Sequence, residues 1–291
     1  MKLSGRIIKG VGGLYFVETS DGVKISKPRG IFRKTNFSPV VGDYCEITSG
    51  DSNFKDDDAI FNIEAISERK NELARPRVVN IDVAAVVSAA DNLNTYTLDK
   101  YLIILEKQAA GNKFGIIAVI NKTDLADEEK LNTYKNIYGG AGYPVFFLSA
   151  ANKTGGGAFV SFIKGGTAVL AGQSGAGKSS IANMLCGKRV MEVGELSKKI
   201  LRGRHTTRHA EMFSFGGGYI VDTPGFASLK TDIARGELKN YFREFKRFEE
   251  VCRFGDCRHI DEPDCAVKEN LGGAINAERY GNYVKIYNEL S

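Results

Sequence analysis

The stretch AVLAGQSGAGKSSIANML, Ala168–Leu185, decides the fold. Its first four residues are apolar, as in a parallel strand buried on both faces, and from Lys178 onward it reads as a helix. Between strand and helix, Gly172-Gln173-Ser174-Gly175-Ala176-Gly177-Lys178-Ser179 has the spacing of a P-loop. The glycines let the backbone curl so that its N–H groups converge on phosphate oxygens. The helix start, which includes Ser180, adds a favourable dipole. Lys178 would neutralise the β- and γ-phosphates, and the Ser179 hydroxyl would ligate Mg²⁺.

Working outward, Asn121-Lys122-Thr123-Asp124 closes the apolar run Gly115–Ile120. A carboxylate at 124 can accept hydrogen bonds from both the N1–H and the 2-amino group of guanine. Adenine would leave that charge unpaired, which costs more than losing a neutral bond. Ser149-Ala150, after Val145–Leu148, would aim a backbone N–H at the guanine O6. On the other side, Asp222-Thr223-Pro224-Gly225 follows the apolar Tyr219–Val221. Asp222 suits a water-mediated hold on Mg²⁺, and the Gly225 N–H suits the γ-phosphate. Between P-loop and Asp222 lies Arg202–His209, RGRHTTRH. Thr206 and Thr207 both offer a hydroxyl that could ligate Mg²⁺ and sense the γ-phosphate. Spacing does not separate them, and Thr207 is assigned to magnesium.

Familiar GTPases run P-loop, switch threonine, DxxG, NKxD, SA. Here NKxD and SA come first, a cyclic shift of the same list that preserves the three-dimensional site. The position after DxxG, where many GTPases carry a water-orienting glutamine, is Phe226. His205 is the best candidate to orient or deprotonate the attacking water instead.

The flanks differ in character. Residues 1–70 hold short β-like runs, Arg6–Lys9, Leu14–Glu18, Val23–Ser26, Tyr44–Thr48 and Ile60–Ile66, separated by Gly-rich turns. Five such strands predict a small barrel, of OB or SH3-like type. Alternating strands and helices over residues 71–231 predict a doubly wound α/β domain. Residues 232–291 read as mostly helical, with Phe242, Phe245, Phe248 and Val251 forming an expected core stripe. Here Cys252, Cys257, His259 and Cys265 supply three thiolates and one imidazole, the ligand set of a closed zinc site. Cys45 and Cys186 stand alone and are expected to be buried.

The 291 residues carry a formal charge of +5, with 43% hydrophobic and 26% charged residues, ordinary for a globular protein. The charge sits mainly in 71–231, with 19 basic and 13 acidic residues; 1–70 has 11 and 10, and 232–291 has 10 and 12. Neither flank is a basic arm, so nucleic-acid binding would have to use local patches. No apolar run approaches the ~18–20 residues of a membrane span, and the N-terminus lacks a signal-peptide core. The chain is therefore expected to be cytoplasmic.

These motifs carry a family likeness. The opening GRIIKGVGGLYFV, the joint NELARPRVVNID, the series NKTD–SA–GQSGAGKSS–GRHTT–DTPGF and the late CRFGDCRHIDEPDCAV resemble the bacterial ribosome-small-subunit-dependent GTPase A family (RsgA, also called YjeQ) over nearly the whole chain. The resemblance implies an N-terminal OB domain, a permuted GTPase domain and a C-terminal zinc domain. It implies GTP hydrolysis stimulated by the small ribosomal subunit, in late maturation of that subunit. The expected partners are GTP and GDP, 16S rRNA and assembly factors; the expected cofactors are one structural zinc ion and Mg²⁺ with GTP; and the chain is expected to be a monomer. The family's catalytic histidine maps onto His205. Two departures stand out: Arg208 replaces a frequent third threonine, and Ala176 a frequent valine. A binding switch without hydrolysis, which Phe226 would allow, and an ATPase or nucleotide kinase are the competing readings; Asp124 argues against the latter.

Overall fold

The computed structural model describes residues 2–30, 32, 37–49, 60–74, 77–190, 210–222 and 232–290, with Asp222 described for its backbone alone. The first five strands are β1 (Lys2–Val11), β2 (Leu14–Thr19), β3 (Gly22–Pro28), β4 (Tyr44–Ser49) and β5 (Phe61–Ile66). Antiparallel pairs β1–β2, β2–β3, β4–β5 and β1–β4, with parallel β3–β5, close a five-stranded circuit. That is the OB type of the two barrels the sequence allowed. Alternate residues fill it: Ile7, Val17, Cys45, Ile47 and Ile63 form the core.

A two-stranded ribbon, β6 (Glu72–Leu73) with β7 (Val78–Val79), precedes the central sheet. The sheet contains β8 (Val83–Ala89), β9 (Gly115–Asn121), β10 (Val145–Phe147), β11 (Thr167–Ala171), β12 (Glu211–Phe215) and β13 (Gly218–Asp222), in the order β10-β9-β8-β11-β13-β12. Every pair is parallel except the hairpin β12–β13. The apolar runs are continuous because both faces are covered. Ala84 and Val86 of β8 face a core with Leu98, Leu102 and Leu105 of the helix Thr95–Ala109 and Ile137 of the helix Glu128–Gly140. Val83, Ala85 and Val87 face Phe159 of the helix Gly156–Phe162 and Ile181 of the helix Lys178–Cys186. The chain winds outward from β8 to β10 and then crosses back to β11. The strand order therefore reverses between β8 and β11, the place where open α/β sheets take ligands beyond the carboxyl ends of their strands.

The C-terminal residues pack on the outer side of the 95–109 helix, whose Ile103 joins the core of Leu238, Phe242, Phe245, Tyr283 and Ile286. Phe242 and Phe245 are fully buried, but Val251 is 71% exposed, so the expected stripe stops short of it. The segment is largely 3-10 helix, Arg235–Tyr241 and Arg243–Phe245, before the short helix Lys246–Glu249. A three-residue step suits a helix with three residues per turn and cannot keep one face through an α-helical turn. Two further helices, Ala266–Glu269 and Ala277–Glu289, complete the unit. Cys45 is buried as expected, whereas Cys186, at the end of its helix, is only half-buried. Among the described residues no helix is long and apolar enough to cross a membrane.

Candidate functional site

The P-loop leaves β11 at the reversal point and runs into the 178–186 helix. Two of its glycines are required by sterics. Gly172 has φ +129°, and a Cβ there would come within 2.1 Å of the Val87 carbonyl oxygen of β8. Gly177 has φ +91°, and a Cβ there would meet Asn121 Nδ2 at 2.1 Å. The Lys178 ammonium donates to the carbonyls of Gly172 (2.8 Å) and Gln173 (2.7 Å), so it sits over the loop. Gln173, Ser174 and Gly175 are exposed, Ala176 is buried, and Ser179 and Ser180 are half-buried at the helix start.

Asn121 ends β9 fully within the protein, 1% exposed. Its Nδ2 donates to Ala176 O of the P-loop at 3.0 Å, and its Oδ1 accepts from Ala150 N–H at 3.1 Å. One side chain thus ties together three motifs that lie 55 and 29 residues apart in sequence. Thr123 N–H donates to Leu148 O at 3.2 Å, which fastens the loop after β9 to β10. Buried Ser149 donates its hydroxyl to Asp124, whose own side chain remains exposed. Asp124 is thereby oriented while the rest of its acceptor capacity stays open to a ligand. Lys122 adopts a left-handed conformation, φ +58°, and lies 3.9 Å from Asp91, a partner that nothing in the sequence pattern announces.

A hydrogen-bonded chain therefore runs from the exposed carboxylate of Asp124 through Ser149, Ala150 and Asn121 to the P-loop. A hydrogen-bond acceptor at one end, and an ammonium with a helix start at the other, suit a nucleotide with base and phosphates at those ends. Asp222 ends β13, two strands from β8 across β11. His205, Thr206, Thr207, Gly225 and Phe226 lie outside the described residues.

The second site is the cluster Cys252, Cys257, His259 and Cys265, whose ligand atoms all lie within 4.8 Å of one another. His259 Nδ1 is 3.4 Å from Cys265 Sγ and 3.7 Å from Cys252 Sγ. Tetrahedral zinc, with bonds of about 2.3 Å to sulfur and about 2.0–2.1 Å to nitrogen, sets S and N roughly 3.5–3.6 Å apart. The donor set and the spacing both fit that ion. Burial, reinforced by Lys239, pushes His259 down to about 4, so it is the neutral, ligating form near pH 7. Burial pushes the Cys257 thiol up to about 12, so an adjacent dication is what would hold it as thiolate. Phe245 packs edge-on against the imidazole, with ring centroids 5.4 Å apart.

A third arrangement gave no sequence signal. Arg279 is completely buried and bonds both Asp99 and Glu244, the latter at 2.6 Å. Asn282 donates to the other Asp99 oxygen at 2.8 Å. This triad bolts the C-terminal unit to the 95–109 helix.

The family model described as RsgA GTPase matches residues 66–232, and the one described as RsgA N-terminal domain matches residues 4–54. A protein named small ribosomal subunit biogenesis GTPase RsgA, from Caldanaerobacter subterraneus subsp. tengcongensis, is 40% identical over 99% of this chain and 96% of its own length. A protein of the same name from Clostridium novyi is 40% identical over 99% of this chain and 97% of its own length. The crystal structure of YjeQ from Thermotoga maritima superposes with a TM-score of 0.79 at 36% identity, covering 100% of this chain and 99% of the other. YloQ, described as a circularly permuted GTPase, gives 0.77 at 31% identity, covering 100% and 95%.

Proposed function

The chain belongs to the RsgA GTPase family, and from that premise we propose that it hydrolyses GTP to GDP and phosphate in the biogenesis of the small ribosomal subunit. The observation that carries the reading is the pair of hydrogen bonds made by Asn121, which ties base-side and phosphate-side motifs together. In this reading Asp124 selects guanine, and Asn121, whose acceptor takes the Ala150 N–H, holds the base-side loop together with Lys122 and Thr123. The backbone of 172–177, with Lys178, Ser179 and Ser180, cradles the phosphates.

Hydrolysis is an in-line attack of water on the γ-phosphorus, and catalysis is mostly positioning and charge stabilisation. The P-loop N–H groups and Lys178 take up charge developing on the phosphate oxygens. Ser179 and Thr207 would hold the Mg²⁺ that comes with GTP, with Asp222 supporting it through a water, and the ion would supply charge neutralisation at the phosphates. The Gly225 N–H and the Thr206 segment respond to the γ-phosphate. Phe226 cannot orient the water, so His205 orients or deprotonates it.

The units proposed are residues 1–70 as an OB barrel for rRNA, 71–231 as the GTPase, and 232–291 as a domain held by one structural zinc at Cys252, Cys257, His259 and Cys265. The protein acts as a cytoplasmic monomer on the late 30S particle, contacting 16S rRNA and assembly factors. Turnover is slow alone and rises when the particle docks. The test is GTP turnover with and without purified small subunits. Strong stimulation by subunits and little by tRNA is expected; equal rates in all three conditions would defeat the proposal.

A further inference from the structure

We infer that the barrel is a positioning part of the GTPase centre, and that Lys9 of β1, paired with Glu211 of β12, holds the strand that presents Asp222. The inference rests on the GTPase reading. Strand β12 would be the free edge of the central sheet, but β1 pairs with it at one point, Lys9 opposite Glu211. At that point the Lys9 ammonium bonds both Glu211 carboxylate oxygens, at 3.0 and 2.9 Å. The residue directly across from Glu211 on the next strand is Asp222. With strands about 4.8 Å apart, the Lys9 backbone lies only about 10 Å from that of Asp222. A charge on the barrel thus clamps the ladder rung to which Asp222 belongs.

Two further contacts grip the same hairpin from the barrel. Tyr219, three residues before Asp222, donates its hydroxyl to Glu18 of β2 at 2.5 Å. The Arg6 guanidinium of β1 lies between the rings of Tyr44 and Tyr219, 4.8 Å from each centroid. Arg6 itself is 5% exposed and donates to Asn80 O at 3.0 Å and Gly42 O at 3.3 Å, so it is anchored at the base of the barrel. None of these barrel groups is offered to the nucleotide; they act through the backbone of β12 and β13. The barrel therefore fixes the register of the hairpin that the P-loop strand, β11, contacts only on its other side.

The test uses the full-length protein and the substitutions Lys9→Met, Glu211→Gln and both together. The readouts are the half-saturating Mg²⁺ for binding a fluorescent non-hydrolysable GTP analogue, and GDP affinity in EDTA. A half-exposed ion pair is worth up to a few-fold, so each single change should raise half-saturating Mg²⁺ about two- to fivefold. The double change should be no worse than either single one, because both remove one interaction. GDP affinity in EDTA should stay within about twofold, because the base-side loop and the P-loop hang from β9 and β11. The sign for Lys9→Met is diagnostic. Removing a cation relieves its Coulomb repulsion of Mg²⁺ and by that alone would tighten, not weaken, Mg²⁺ binding. Unchanged or tighter Mg²⁺ binding in Lys9→Met would overturn the inference. So would a parallel loss of GDP affinity in EDTA, which marks a merely structural role. Failure of the unaltered protein to prefer the GTP analogue over its ATP counterpart would instead overturn the guanine-nucleotide reading beneath it.

Discussion

Replacing Arg279 with Met removes the cation from a triad in which the side chains of Arg279, Asp99 and Glu244 are 0%, 0% and 1% exposed. The apolar stem of Met can still lie among Tyr138, Tyr143 and Phe242, whose ring centroids are 5.2–5.6 Å from the guanidinium. The two carboxylates, however, lose their partner. Breaking a buried ion pair from one side costs about 3–5 kcal/mol, roughly 6–20 °C in melting temperature for a domain of this size. The pH dependence sharpens the expectation. Burial lifts Asp99 from 3.8 to about 6, against the opposing pull of Arg279. Because the folded value is raised, the stability Asp99 contributes is present below pH 3.8 and lost as pH rises through about 6. Without Arg279 the pull downward is gone, the folded value rises further, and the loss continues to higher pH. Thermal unfolding followed by circular dichroism should therefore show a larger defect at pH 7.5 than at pH 5.5. Making the triad wholly apolar, with Asp99→Leu and Glu244→Leu added, should recover much of the loss. A single substitution that melts within about 2 °C of the parent, or a defect of equal size at both pH values, would refute this reasoning.

His205→Ala should leave GDP affinity intact and lower single-turnover hydrolysis on small subunits about 10²–10⁴-fold, the usual contribution of a general acid–base group; an unchanged rate would remove His205 from the mechanism. Elemental analysis should find one zinc per chain, and Cys257→Ser should lose it and loosen the core around Phe245 and Tyr283, read as reduced protection from proteolysis after residue 232. Full protection in a zinc-free protein would show that the cluster is not structural.

Much of this architecture is local and therefore legible in the sequence. The strands of the central sheet show as uninterrupted apolar runs, because helices cover both faces, and the barrel strands show as alternation between turns. The described motifs, 121–124, 149–150, 172–179 and Asp222, each sit at or just past a strand end, so their spacing is legible even in permuted order. The choice between OB and SH3-like barrels was not legible, because it depends on which strands pair, settled here by parallel β3–β5. Val251 misled because a three-residue step continues past the 3-10 segments into an exposed turn. Arg279 with Asp99, and Lys9 with Glu211, are 180 and 202 residues apart. Each is an unremarkable charged residue in its own segment, and only the fold makes it a partner.

The central claim is that one bound guanine nucleotide is gripped at its base by Asp124 and at its phosphates by Lys178. Calorimetric titration with GDP and ADP tests it on the unaltered protein, Asp124→Asn and Lys178→Ala. One-site binding of GDP with no measurable ADP binding is expected, with GDP affinity falling roughly 10- to 150-fold in Asp124→Asn, the value of lost charged hydrogen bonds, and falling also in Lys178→Ala. Equal heats for ADP and GDP, or GDP affinity untouched by both substitutions, would contradict the account.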